Sequence, residues 1–166
     1  MKEIEKKIMK IDISDFNREI LKQIVIEETE RDEIFRKLYQ DAVDYKLVSE
    51  DVMPEYKETL KIFDRKRKYL EQLIEVLPNL DQIELSNEEE IDYFRTLIES
   101  QIEISRSRIE DFQPGQRIYE SLAARSEDKK DYVEGVERII QYEQDCIQCC
   151  NDLRALIPES ENTKES

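Results

Sequence analysis

This chain predicts an all-α fold, and three observations lead there. Its four prolines, Pro54, Pro78, Pro114 and Pro158, stand at helix-length intervals. It holds only two glycines, Gly115 and Gly135. Between these breakers, apolar residues recur at the period of one helix face. Proline lacks a backbone N–H and crowds the turn before it, so each proline reads as a helix start or a helix end. Short joints favour antiparallel neighbours, and the economical arrangement is an antiparallel up-down-up-down four-helix bundle. A short N-terminal lead-in precedes it, and a disordered C-terminal tail follows. A dimer of helical hairpins burying the same stripes is the structural rival.

The lead-in, residues 2–11, spaces Ile4, Ile8 and Ile11 between charges as a short amphipathic helix would. Ser14 or Asp12 caps a long first helix reaching about Lys46. Its inward set is Phe16, Ile20, Leu21, Ile24, Val25, Phe35, Leu38, Tyr39, Ala42 and Val43. The second helix starts near Pro54 and stops before Pro78, with Tyr56, Leu60, Phe63, Leu70, Ile74 and Leu77 inward. A longer connection, 78–86, ends in Ser86-Asn87-Glu88-Glu89, where Ser and Glu three apart match a capping box. The third helix runs to about Phe112 with Ile91, Phe94, Ile98, Ile102, Ile109 and Phe112 on one face, and Pro114-Gly115 turns the chain. After a restart at Ile118 and Leu122, the polar run 126–131 bends or breaks the helix. The fourth helix carries Tyr132, Val136, Ile140, Ile147, Cys150, Leu153 and Ile157.

With 166 residues, one domain over 1–158 and a polar tail over 159–166 are expected. Charged residues make up 40% of the chain, against about a quarter in ordinary domains, as helices with one buried stripe and solvated outer faces require. A net charge of −15 without histidine disfavours nucleic acid and anionic membrane, which need clustered Lys and Arg, and favours a basic protein partner. The longest aliphatic run, Ile24-Val25-Ile26, is far too short to span a bilayer. The charged N-terminus lacks a secretory apolar stretch, so a cytoplasmic location is expected. Cys146, Cys149 and Cys150 crowd one helical stretch; an odd, local set is no disulfide framework and fits a reducing compartment.

Each apolar stripe is interrupted near its middle: by Glu28 and Arg31 in the first helix, Lys66 and Arg67 in the second, Gln101 and Ser105 in the third, Glu143 in the fourth. In an antiparallel bundle these midpoints meet at one level, forming a polar layer. The expected role is structural, with Arg31 or Arg67 neutralised by Glu28 and Glu143 and the two neutral side chains completing hydrogen bonds. Buried charges require such pairing.

The alternative is a carboxylate metal site. Ferritin-like bundles bind two metals through Glu and Glu-x-x-His motifs, but here histidine is absent and cations share the level. Mg²⁺ or Mn²⁺ accepts oxygen ligands alone, and Glu27, Glu28, Glu30 and Glu143 are the candidates. Glu27 and Glu30 have the one-turn spacing used by all-α nucleotide pyrophosphohydrolases, whose motif is otherwise unmatched: its third glutamate falls on Arg31.

Lys57, Lys61, Arg65 and Lys68 share one outer face of the second helix and are expected to pair with acidic neighbours. Cys146-x-x-Cys149-Cys150 lacks the partners of a zinc site and the helix N-terminus of a redox pair, so these read as small core residues. No glycine-rich phosphate loop and no histidine-based nucleophile is available. The reading is a non-enzymatic bundle acting through protein–protein contacts as adaptor, regulator or assembly subunit, with a homodimer among its possible forms and no resident cofactor.

Overall fold

The computed structural model describes residues 9–125 and 127–157, the side chain of Asp128 excepted. It is mostly helical, with four helices and one small sheet. In chain order these are β1 (Met9–Asp12), α1 (Asp15–Asp44), α2 (Met53–Val76), a single turn Leu77–Asn79, β2 (Gln82–Leu85), α3 (Glu88–Ala123), a second turn Glu127–Lys129 and α4 (Lys130–Leu156). Two compact units share the chain, Met1–Tyr93 and Phe94–Ser166, and the division falls within α3. Pro158 and the expected tail, 159–166, lie outside the described residues, as do residues 1–8.

In the first unit, Ser14 caps α1: its hydroxyl accepts the Asn17 N–H at 3.2 Å. α2 opens with Pro54 in its first turn, where a missing N–H has no helical partner to lose. The two helices form an antiparallel hairpin, because partners later in α1 pair with residues earlier in α2. Glu28 meets Lys66 at 2.8 Å, Arg36 meets Asp64 at 2.8 Å, and the Tyr39 ring lies 4.8 Å from that of Tyr56.

Where the helical lead-in was expected, the described residues Met9–Asp12 form a strand instead. β1 and β2 pair antiparallel, with Ile11 opposite Ile83 and Met9 opposite Leu85. Ile11, Ile13, Ile83 and Leu85 are all buried while Lys10, Asp12, Gln82 and Glu84 are not, a period of two rather than 3.6. The connection expected over 78–86 therefore carries structure. Arg18 ties it to α1, donating from Nε to the Leu80 carbonyl at 2.8 Å and from Nη2 to Asp81 at 3.1 Å.

α3 begins with a reciprocal cap one residue later than the expected box. Asn87 Oδ1 accepts the Glu90 N–H at 2.9 Å, and the Glu90 carboxylate accepts the Ser86 N–H at 2.6 Å. The expected turn at Pro114-Gly115 is absent, and α3 continues through both to Ala123. Pro114 and Glu110 are exposed, so the Glu110 carbonyl that loses its helical donor is solvated. The break comes later: α3 ends at Ala123 and α4 begins at Lys130, inside the polar run.

In the second unit, α3 and α4 also run antiparallel: Arg108 meets Glu143, and Tyr119 stacks on Tyr132 at 5.5 Å. Phe94, Leu97, Ile98, Cys149 and Leu153 are fully buried. Each such side chain removed from water stabilises the fold by ~1.5–3 kcal/mol. No helix among the described residues is long and apolar enough to cross a membrane.

Candidate functional site

The residues that interrupt the apolar stripes, Arg67 apart, gather on one buried carboxylate in the first unit and lie in two hydrogen-bonded pairs in the second. In the first, Glu28 is buried on α1 and its carboxylate is held from two sides. Arg31 donates to Oε2 at 2.8 Å and Lys66 donates to Oε1 at 2.8 Å. The Lys66 ammonium also lies 3.0 Å from Asp32, one turn along α1. Glu28 and Asp32 thus share the cations Lys66 and Arg31, and Glu27 also lies 3.7 Å from Arg31.

Burial is the largest influence on Glu28 and alone would raise its pKa, but the Lys66 and Arg31 hydrogen bonds and charges outweigh it and hold the carboxyl below its usual range. For Lys66, burial alone would lower the pKa; Glu28 and then Asp32 overturn that and raise it. Asp32 receives less help. Burial dominates, Lys66 offsets only part of it, and the neighbouring Glu28 charge adds to the upward shift.

Arg67, expected in this layer, lies outside it. It is exposed and pairs with Glu33 at 3.1 Å and Glu71 at 2.9 Å, because one residue beyond Lys66 is about 100° further round the helix. Lys66 and Arg31 supply the positive charge expected of Arg67, and the member of the cluster that the sequence reading did not name is Asp32. Its sequence signal was there to read: Asp32 stands four residues after Glu28, on the same face.

In the second unit, Gln101 and Ser105 are completely buried on α3 and joined by a 2.9 Å hydrogen bond from Gln101 Nε2 to Ser105 Oγ. Glu143 on α4 is buried, and Arg108 donates to its Oε1 at 3.0 Å. Arg108 stands seven residues after Gln101 on the same stripe, a signal missed because its side chain reaches the surface. Among the described residues, Gln101 Oε1 and Glu143 Oε2 are buried with no hydrogen-bond partner, an expensive state for an acceptor.

The alternative metal set does not come together as a ligand sphere. The Glu28 and Glu143 carboxylates each face a cation, Glu27 lies 3.7 Å from Arg31, and Glu30 is exposed. Among the described residues, no three carboxylates or thiols gather where an ion could be held. Cys146, Cys149 and Cys150 are free thiols and all buried. Burial pushes the Cys150 thiol up to about 12 and that of Cys149 upward as well, with neighbouring cysteines adding to both shifts.

On the basic face of α2, Arg65 pairs with Glu89 at 2.8 Å and Lys61 lies 3.9 Å from Glu58. Glu89 also accepts the Tyr93 hydroxyl.

The largest departure concerns the apolar stripe of α1. Phe16, Phe35 and Leu38 were expected inward but are exposed, as are Phe112 and Tyr132 in the second unit. Ile24 and Glu28 are buried on the proximal half of α1, and the same stripe continues through Arg31 to Phe35, Leu38, Ala42 and Tyr45. Phe35 is 53% exposed, Leu38 60% and Tyr45 73%, with Leu47 beside them at 71%. The face turned toward α2, marked by Arg36 and Tyr39, is a different one.

No family model, curated protein or solved structure matches this chain.

Proposed function

We propose that this chain is a non-enzymatic, acidic helical protein that works by binding another protein, with the distal half of the α1–α2 hairpin as its recognition surface. One observation supports the reading above the others: the uncovered row Phe35, Leu38 and Tyr45. Isolated exposed apolar residues are ordinary, but large ones in a row mark interaction surfaces. With Ala42, their spacing alternates three and four residues, as at the seam between two helices. The occupant that fits is an amphipathic helix of a partner protein with apolar residues at matching intervals. Asp41 and Asp44 border the row and the chain carries a charge of −15, so Lys or Arg flanks on the partner complement it.

The buried charges support the same reading by what they are occupied with. Glu28 and Glu143 each hold a cation already, and a divalent ion would have to displace guanidinium or ammonium. The proposal keeps the up-down-up-down bundle, the structural polar layer and the cytoplasmic location expected from the sequence.

The test places a photo-crosslinking amino acid at Phe35 in cells, with Glu58 as the control position. The proposal expects one recurrent partner captured from position 35, absent at 58 and lost when Leu38→Glu is added. Capture that ignores Leu38→Glu contradicts it. So does Mg²⁺-dependent release of pyrophosphate from nucleoside triphosphates by the purified protein.

A further inference from the structure

We infer that the open edge of β2 is a binding site for an extended, basic peptide segment of another protein, which joins the sheet as a third strand. The main-chain register carries the first part. The Ile13 N–H donates to the Asp81 carbonyl at 2.9 Å. Residues that exchange bonds in an antiparallel pair alternate with residues that do not, and Ile11 faces Ile83 as Met9 faces Leu85. Ile83 and Leu85 therefore turn their N–H and C=O groups toward β1, while Gln82 and Glu84 turn theirs the other way. Among the described residues the sheet has no strand on that side. An open strand edge is a template for another strand.

The second part is the groove beside that edge. The next outward group, the Ser86 N–H, is closed by the Glu90 carboxylate at 2.6 Å, which fixes Glu90 on the open side of β2. Glu90, Gln82 and Glu84 line one wall of a cavity of about 400 Å³, and Tyr69, Leu73 and Val76 of α2 line the other. The edge is thus not bare to bulk solvent but runs along an existing cleft. Tyr69 lines it, and among the described residues its buried hydroxyl has no hydrogen-bond partner.

The lining defines the ligand. Leu73, Val76 and Leu80 offer apolar contact, and Glu75, Glu84 and Glu90 supply carboxylates, with no Lys or Arg among the described residues of the lining. An extended segment turns alternate side chains to opposite sides. Apolar residues would meet α2 while the Lys or Arg between them meet the glutamates. A second copy of this chain is a poor occupant, since β2 against β2 would bring Glu84 onto carboxylates of its own kind. This site shares no residue with the α1 row, and either can fail without the other.

The probe is an end-blocked hexapeptide of alternating Lys and Val, added to the full chain while backbone amide hydrogen exchange is followed by NMR. The inference expects exchange at Gln82 and Glu84 to slow by about tenfold or more, with Leu21 in α1 unchanged. Binding should weaken about tenfold in Glu84→Lys, whose helix content is checked by circular dichroism, and vanish for a Glu–Val peptide and for one N-methylated at every residue, which leaves no strand N–H on either edge. Unchanged exchange at Gln82 and Glu84 overturns it. Equal binding of the N-methylated peptide overturns it too, because the contact would then be ionic and not strand addition. Peptide-free protection with a doubled mass in light scattering would assign the edge to a second copy instead.

Discussion

Lys66 of α2 lies 2.8 Å from Glu28 of α1, and neither side chain is more than 13% exposed. Two opposite charges from different helices meet where an apolar pair would otherwise sit, and Arg31 and Asp32 complete the balance. Removing one member of such a set leaves the others buried and unpaired. Lys66→Met should therefore lower unfolding free energy by about 3 kcal/mol in urea melts. Arg67→Met, one residue away but exposed, should change it by less than about 1 kcal/mol.

The pKa directions set a stability window. Glu28 sits below its unfolded value, so its contribution is present above the usual carboxylate range and is lost as pH falls through its folded pKa. Lys66 sits above its unfolded value, so its contribution is complete below the usual lysine pKa and is lost as pH rises through the folded one. Asp32 is raised and works against Glu28, softening the acid limb. The melting temperature should form a plateau between these limits. Lys66→Met should abolish the alkaline contribution and, by raising the folded pKa values of Glu28 and Asp32, flatten or reverse the acid-side fall.

Two helix-interior breakers lie where nothing requires them. Gly135 is inside α4 with no atom within 4 Å of an added Cβ and no left-handed backbone. Gly135→Ala should stabilise by roughly 0.5–1 kcal/mol, read as a raised melting temperature. Pro114→Ala restores an exposed helical hydrogen bond in α3 and should stabilise by more, up to ~3 kcal/mol.

The three thiols should be inert in the native protein. Cys146, Cys149 and Cys150 are fully buried, and Cys149 and Cys150 are shifted toward the neutral form, which is the unreactive one. Iodoacetamide at neutral pH should leave all three unmodified until denaturant is added, when mass spectrometry should show them alkylated together.

The long helices were legible in the sequence because each is punctuated by a residue with one physical meaning: Ser14 as a cap, Pro54 in a first turn, a polar run before α4. Pro114 misled because a proline on an exposed helix face loses only a bond that water replaces, and nothing local distinguishes that from a break. The strands were missed because Met-Lys-Ile-Asp and Gln-Ile-Glu-Leu are too short for alternation to stand out, and they pair only across 70 residues of chain, as the Gln82–Asp12 hydrogen bond shows. Periodicity located the α1 face holding Phe35 and Leu38, but a stripe reads the same whether or not anything covers it. Glu28 and Lys66 were named from the gaps they make in two stripes. Their third partner, Asp32, was hidden among the acids of a strongly acidic helix.

A double-mutant cycle on Glu28→Gln and Lys66→Met tests the mutual neutralisation of these charges most directly. The account predicts that the single losses exceed the double loss, with a coupling of about 1.5 kcal/mol or more. Strictly additive losses would contradict it, because the two side chains would then be holding nothing together.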